Sequence, residues 1–84
     1  NSATLSNYQH QASGTLCAYS GSTSTQGLVT IWLTKVQNTL PGSASGMQQI
    51  VVTPANSNQV RITLCWQAPS DSNVRHHTLV TYVN

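Results

Sequence analysis

The sequence predicts an α+β domain in which one amphipathic helix packs on a three-stranded antiparallel sheet. Three observations carry that expectation. One stretch has apolar residues at helical spacing, three later stretches have strand character, and 84 residues leave room for a single core. A two-layer domain follows, with residues 1–84 as one unit.

The helix is expected over residues 27–40, GLVTIWLTKVQNTL. Val29, Trp32, Leu33, Val36 and Leu40 recur on one face, while Thr30, Thr34, Lys35, Gln37 and Asn38 fall largely elsewhere. Threonines and β-branched apolar residues lower intrinsic helix propensity, so packing along Val29, Trp32 and Val36 has to hold it. Thr23, Ser24 or Thr25 is placed to cap the start. Pro41 and Gly42 stop it, one by lacking a donor and the other by its conformational freedom.

Strands are expected in Met47–Thr53, Gln59–Gln67 and Thr78–Val83, so residues 47–84 form an antiparallel meander. The middle strand alternates Val60, Ile62, Leu64 and Trp66 against Arg61, Thr63, Cys65 and Gln67. PANSN and APSDSNVRHH suit hairpin links. Residues 1–26 read as mostly irregular, with a short extended piece around Leu16–Tyr19. Trp32, Leu33, Val36, Leu40 and Trp66 are the expected fold core.

The composition narrows the class. Lys35, Arg61, Arg75 and Asp71 are the only charged side chains, and Ser, Thr, Asn and Gln supply the polar surface. Ordinary domains draw about a quarter of their residues from charged types. A neutral polar surface suits a periplasmic or extracellular setting, and a net charge of +2 is too small for a nucleic-acid reading. So little charge also leaves self-association weakly opposed. No apolar run reaches the length of a membrane span, and there is no leader pattern. Because the chain starts at Asn1, that absence is expected to reflect processing.

Cys17 and Cys65 are the only two cysteines and allow one intramolecular pairing. A disulfide between them would close a loop of about 48 residues and contribute about 4 kcal/mol through the unfolded chain. Two separate buried thiols are the alternative. Alternation points Cys65 away from Leu64 and Trp66, so the segment around Cys17 would have to reach around the sheet or pack at its edge.

Chemistry finds little equipment. No pattern ties His10, His76 or His77 to a cysteine as a catalytic base. Cys17, Cys65, His76 and His77 lack the short ligand spacings of a structural zinc site. Asp71 is the lone carboxylate side chain, which excludes two-carboxylate glycoside hydrolysis. GSASG at 42–46 lacks the residues of a phosphate loop, and no GxSxG marks a serine nucleophile. The chain is therefore read as a non-enzyme that needs no cofactor and no metal. Binding is the better class, with Tyr82, Arg75 and His76 as candidate partner contacts.

WLTKVQNTLPG at 32–42, VVT at 51–53, RITLCWQ at 61–67 and LVTYV at 79–83 together resemble the C-terminal globular part of the PilV minor pilins, the type IV pilus modification proteins. The resemblance is specific at Trp32–Gly42 and Cys65–Gln67, and an upstream cysteine where Cys17 stands fits it. It implies a pilin-like α+β head that lacks the long N-terminal helix, here a soluble head without its inner-membrane anchor. It further implies a cell-surface or pilus location and a structural role in pilus priming, with effects on adhesion or twitching. The implied partners are other minor pilins and the major pilin. Loss of the apolar helix is expected to leave apolar surface exposed. A type II secretion pseudopilin, or an adhesive module that binds glycan or DNA, is the alternative.

Overall fold

A computed structural model describes residues 5–83 and shows an α+β fold with one helix and two antiparallel sheets. The elements run β1 (Ser13–Thr15), β2 (Ala18–Ser20), α1 (Gly27–Thr39), β3 (Gln48–Thr53), β4 (Gln59–Trp66) and β5 (Arg75–Tyr82), with short 3-10 turns at Ser6–Tyr8, Ser45–Met47 and Pro54–Asn56. β1 and β2 form a hairpin, and β3, β4 and β5 form a meander with β4 in the middle.

α1 follows its apolar spacing, but only Val29 and Val36 are fully buried. Trp32, Leu33, Leu40 and Trp66 are half-buried. The core instead gathers Val29 with Leu5, Ile50, Val52 and Val60, and Trp32, Leu33 and Ile62 pack around it. Val36 apart, the expected core thus lies at the margin of the observed one, because a single helix shields only part of a three-stranded face. Leu28 and Ile31 on the far side of α1 are exposed.

The helix starts without a side-chain cap. Gln26 is the N-cap residue, and the Ser24 hydroxyl accepts from the Gln26 N–H instead of a helical one. Thr23 and Thr25 make no such cap either. The end of the helix is sharper. Leu40 is extended, as a residue before proline prefers to be. Gly42 has φ 67°, and a Cβ there would lie 1.8 Å from the Gln67 carbonyl oxygen. Only glycine lets the chain pass that close to β4. The Gln67 N–H donates to the Pro41 carbonyl at 3.1 Å, and the Ser43 hydroxyl donates to the Cys65 carbonyl at 3.0 Å.

β4 fixes the two faces of the sheet. Its register with β3 pairs Ile50 with Ile62, and its register with β5 pairs Ile62 with Leu79. By alternation Ile50, Val52, Val60, Ile62, Leu64, Trp66 and Leu79 share the α1 side, and Thr63, Cys65, His76, Thr78, Val80 and Tyr82 share the other. β5 begins at Arg75, three residues earlier than apolar alternation predicts. Arg75, His76 and His77 are strand residues held by backbone pairing with Trp66, Cys65 and Leu64.

The segment before α1, expected as mostly irregular, contains the β1–β2 hairpin and seals one sheet edge. The hairpin turns through Leu16 and Cys17, where Cys17 takes a left-handed φ of 64°. Its turn carries the Cys17–Cys65 disulfide, with Cα atoms 5.6 Å apart and Cys65 fully buried. The N-terminal chain has indeed reached the face opposite α1. Gly14, Leu16 and Tyr19 of the hairpin line a shallow hollow with Gln49, Arg61, Thr63 and Thr78.

The sealed edge is that of β3. His10 and Ile50 exchange backbone hydrogen bonds at 3.0 Å each. The Val52 N–H donates to the Gln9 side-chain oxygen, and the Gln11 side-chain amide donates to the Gln48 carbonyl. His10 is only 4% exposed, and its Nδ1 accepts from the Ser24 N–H at 3.0 Å. The Ser24 hydroxyl donates in turn to the Asn7 carbonyl at 2.8 Å. Burial pushes the His10 imidazole below its ordinary 6.5, because charging it would strip water from a cation.

Two outcomes are expected. Replacing Cys17 and Cys65 together by serine should lower unfolding free energy by about 4 kcal/mol in urea titrations, since the loop between them is then free in the unfolded chain. The second concerns pH. The unfolded chain takes up a proton at His10 near pH 6.5 while the folded chain resists until lower pH, so stability should be full above that value and fall as pH drops through it. Urea titrations from pH 8 to 5 should show that slope, and His10→Gln should flatten it.

Candidate functional site

Two surfaces stand out, a trough on the α1 side of the sheet and the free edge of β5. The trough is apolar. A hollow of about 390 Å³ is lined by Leu5, Tyr8, Val29, Ile50, Ile62 and Val83, among others. A second hollow, about 260 Å³, lies along the seam between α1 and Leu64, beside Trp32, Val36 and Leu40. Leu79 stands opposite Ile62 on β5 and is 54% exposed, an apolar side chain beyond the lining of either hollow.

The helix and sheet geometry explain why the trough exists. α1 offers only Val29 and Val36 as fully buried contacts, while the sheet offers three strands. No residue of β5 is buried. Helix side chains therefore reach the β3–β4 half of the face and leave the β5 half bare. On that half Leu79 and Val83 are the apolar side chains, beside Arg75, His77 and Thr81.

The candidate partner contacts from the sequence lie on β5 but do not converge. Tyr82 is 60% exposed and shares the face opposite α1 with His76. Arg75 is on the α1 side at the far end of the strand, about 24 Å from Tyr82 by strand rise. Arg75 is moreover engaged by Asp71, whose carboxylate accepts from its Nε at 3.0 Å and its Nη2 at 3.3 Å. Hydrogen bonding from Arg75, helped by the Ala68 N–H, holds the Asp71 carboxyl below its usual range. This pair closes the β4–β5 loop. His76 and His77 point to opposite faces, so Arg75, His76 and His77 make no basic patch. Of the three tyrosines, Tyr19 is buried and Tyr8 half-buried, which leaves Tyr82 as the exposed ring.

A third hollow, about 580 Å³, lies between the N-terminal segment and the start of α1, lined by Ser6, Asn7, Gln9, Thr23 and Gln26 among others. Its lining carries neither an aromatic ring nor a charge. Among the described residues no group of three His, Cys, Asp or Glu side chains is placed to hold a metal ion. The resemblance implied exposed apolar surface, but no residue pattern located it, since it consists of what the helix leaves uncovered.

No protein-family model, no curated protein and no solved structure matches this chain.

The division between core and presented surface can be measured. Ile50→Ala should cost about 2–5 kcal/mol in unfolding free energy, as expected of a buried aliphatic cut back to a methyl. Leu79→Ala, on the bare half of the same face, should stay within about 0.5 kcal/mol. Equal losses for the two would show that Leu79 is covered.

Proposed function

We propose that this chain is the head of a type IV minor pilin, a non-enzymatic domain that acts by protein–protein contact in priming pilus assembly and thereby affects adhesion or twitching. The observation that carries this reading is the apolar hollow beside α1, floored by core residues and flanked by half-buried Tyr8, Ile62 and Val83. Its residues, from Leu5 and Tyr8 to Ile62 and Val83, offer the side-chain chemistry that receives the apolar face of a long helix. Among the described residues no helix is long and apolar enough to cross a membrane. In this proposal the inner-membrane anchor is an apolar helix outside the 84 residues.

A second observation supports the same reading. The two stretches most specific for the resemblance, Trp32–Gly42 and Cys65–Gln67, meet in space. Gly42 lies against the Gln67 backbone, and the Gln67 N–H bonds to the Pro41 carbonyl. Residues that recur together in a family head are then residues that build one junction. The partners in this proposal are other minor pilins and the major pilin, at the cell surface, with no cofactor involved.

Deleting the gene in its source organism and counting pili by electron microscopy tests the proposal. The expected result is few or no pili, restored by the form carrying an apolar helix and not by these 84 residues alone, with tagged protein present in sheared fibres. Normal piliation, with the protein absent from fibres, would overturn it.

A further inference from the structure

The two outer edges of the three-stranded sheet are treated differently. The β3 edge is closed by His10, Gln9 and Gln11. The β5 edge is open. The Val83 N–H donates to the Asn58 carbonyl at 3.1 Å, and this sets the alternation along the strand. Thr81, Leu79, His77 and Arg75 turn their backbone N–H and C=O groups toward β4, while Tyr82, Val80, Thr78 and His76 turn theirs away. Among the described residues nothing bonds to the outward backbone groups of those four, although the Thr78 and Tyr82 hydroxyls bond to Thr63 and Gln59 side chains of β4.

Natural sheets blunt such an edge with proline, lysine, an inward charge, a bulge or a covering element. β5, with the sequence RHHTLVTY, has none of these between His76 and Tyr82, and its pairing with β4 is unbroken over eight residues. Its one charge, Arg75, sits at the end and is held by Asp71.

We propose that β5 is a docking edge for β5 of a second copy of this chain. The two strands run antiparallel about a two-fold axis at Leu79 and join two three-stranded sheets into one. The occupant follows from the strand itself. A helix cannot satisfy a row of outward backbone groups, whereas another strand can. For identical strands about a two-fold axis, opposed residues must lie on the same face, and a centre at Leu79 meets that condition. It sets Thr78 opposite Val80 of the second copy and His76 opposite its Tyr82. All four are outward-facing, so every free donor and acceptor on the edge gains a partner. Leu79 meets its own counterpart on the trough side, and His76 stacks with Tyr82 on the other.

Charge does not oppose this pairing. The two Arg75 side chains fall at opposite ends, about 27 Å apart by strand rise. Separations of that size exceed the screening length of about 8 Å at physiological salt. A single strand edge is smaller than a standard protein interface, so the dimer should depend on concentration. None of this rests on the pilin reading, and neither outcome below bears on piliation.

Sedimentation velocity of the 84-residue chain should show monomer at low micromolar concentration and dimer at high micromolar concentration. Val80→Pro removes one outward N–H and leaves the donors to β4 in place, so it should abolish the dimer. Circular dichroism checks that this variant folds. Leu79→Cys tests the register without disturbing the strand. It should give a disulfide-linked dimer on mild oxidation, whereas Tyr82→Cys, whose two copies lie about 20 Å apart, should not. A chain that stays monomeric throughout overturns the proposal. So does a folded Val80→Pro that still dimerises, or Tyr82→Cys cross-linking as readily as Leu79→Cys.

Discussion

The structure depends on how the end of β4 is held. Within three residues, Cys65 takes the disulfide from the hairpin, its carbonyl accepts from Ser43, and Gln67 meets Pro41 and Gly42. These contacts come from both faces of the sheet. The disulfide pins the hairpin to the face opposite α1, and the Pro41–Gly42 turn pins the end of α1 to the same strand. A domain of this size buries too little apolar surface to set the positions of peripheral elements by packing alone. Covalent and backbone constraints do it here, and the core of Leu5, Val29, Ile50, Val52 and Val60 then fills the space they define.

The second constraint is polar. His10 is buried because its backbone closes the β3 edge, and its ring is tolerated there because Nδ1 accepts from the Ser24 N–H. Sealing an edge with a short irregular segment needs side-chain amides where strand geometry fails. Gln9 and Gln11 reach the outward groups of Val52 and Gln48. The abundance of Gln, Asn, Ser and Thr in this chain thus has a structural use as well as a solvating one. Neutral polar groups can be buried at an edge with one or two hydrogen bonds, where a Lys or Glu would need a partner charge.

Much of the fold was legible in the sequence, for reasons that differ by element. α1 declared itself through the spacing of Val29, Trp32, Val36 and Leu40, and β4 through its alternation of apolar and polar residues, although the hairpin also buries Thr63 and Cys65 on its other face. The disulfide was legible by count, as two cysteines admit one pair. Of the β1–β2 hairpin only the extended piece around Leu16–Tyr19, which overlaps β2, was legible, because its strands are three residues long and exposed at all positions but Tyr19. Packing and the Cys17 link hold it, so local propensity carries little trace. The start of β5 was missed for a related reason. Arg75, His76 and His77 have no apolar alternation, and only the ladder to β4 makes them a strand. Exposed apolar surface was implied by the resemblance, but the place of the trough was out of reach, since it depends on where a helix of fixed width comes to rest on a wider sheet.

The trough and the β5 edge are adjacent yet draw on different groups. A helix lying in the trough would use side chains on the α1 side, from Tyr8 and Ile62 to Val83. A strand at the edge would use backbone groups that point in the plane of the sheet. Leu79 links the two surfaces, paired with Ile62 of the trough and at the centre of the edge. A ligand in the trough that stopped at Ile62 would leave edge pairing undisturbed, whereas one that covered Leu79 would compete with a second copy for that side chain. The width of whatever fills the trough therefore decides whether the two contacts coexist or exclude one another. In a chain with so few charges, that steric condition has little electrostatic competition, and the choice between partners falls to shape and backbone pairing.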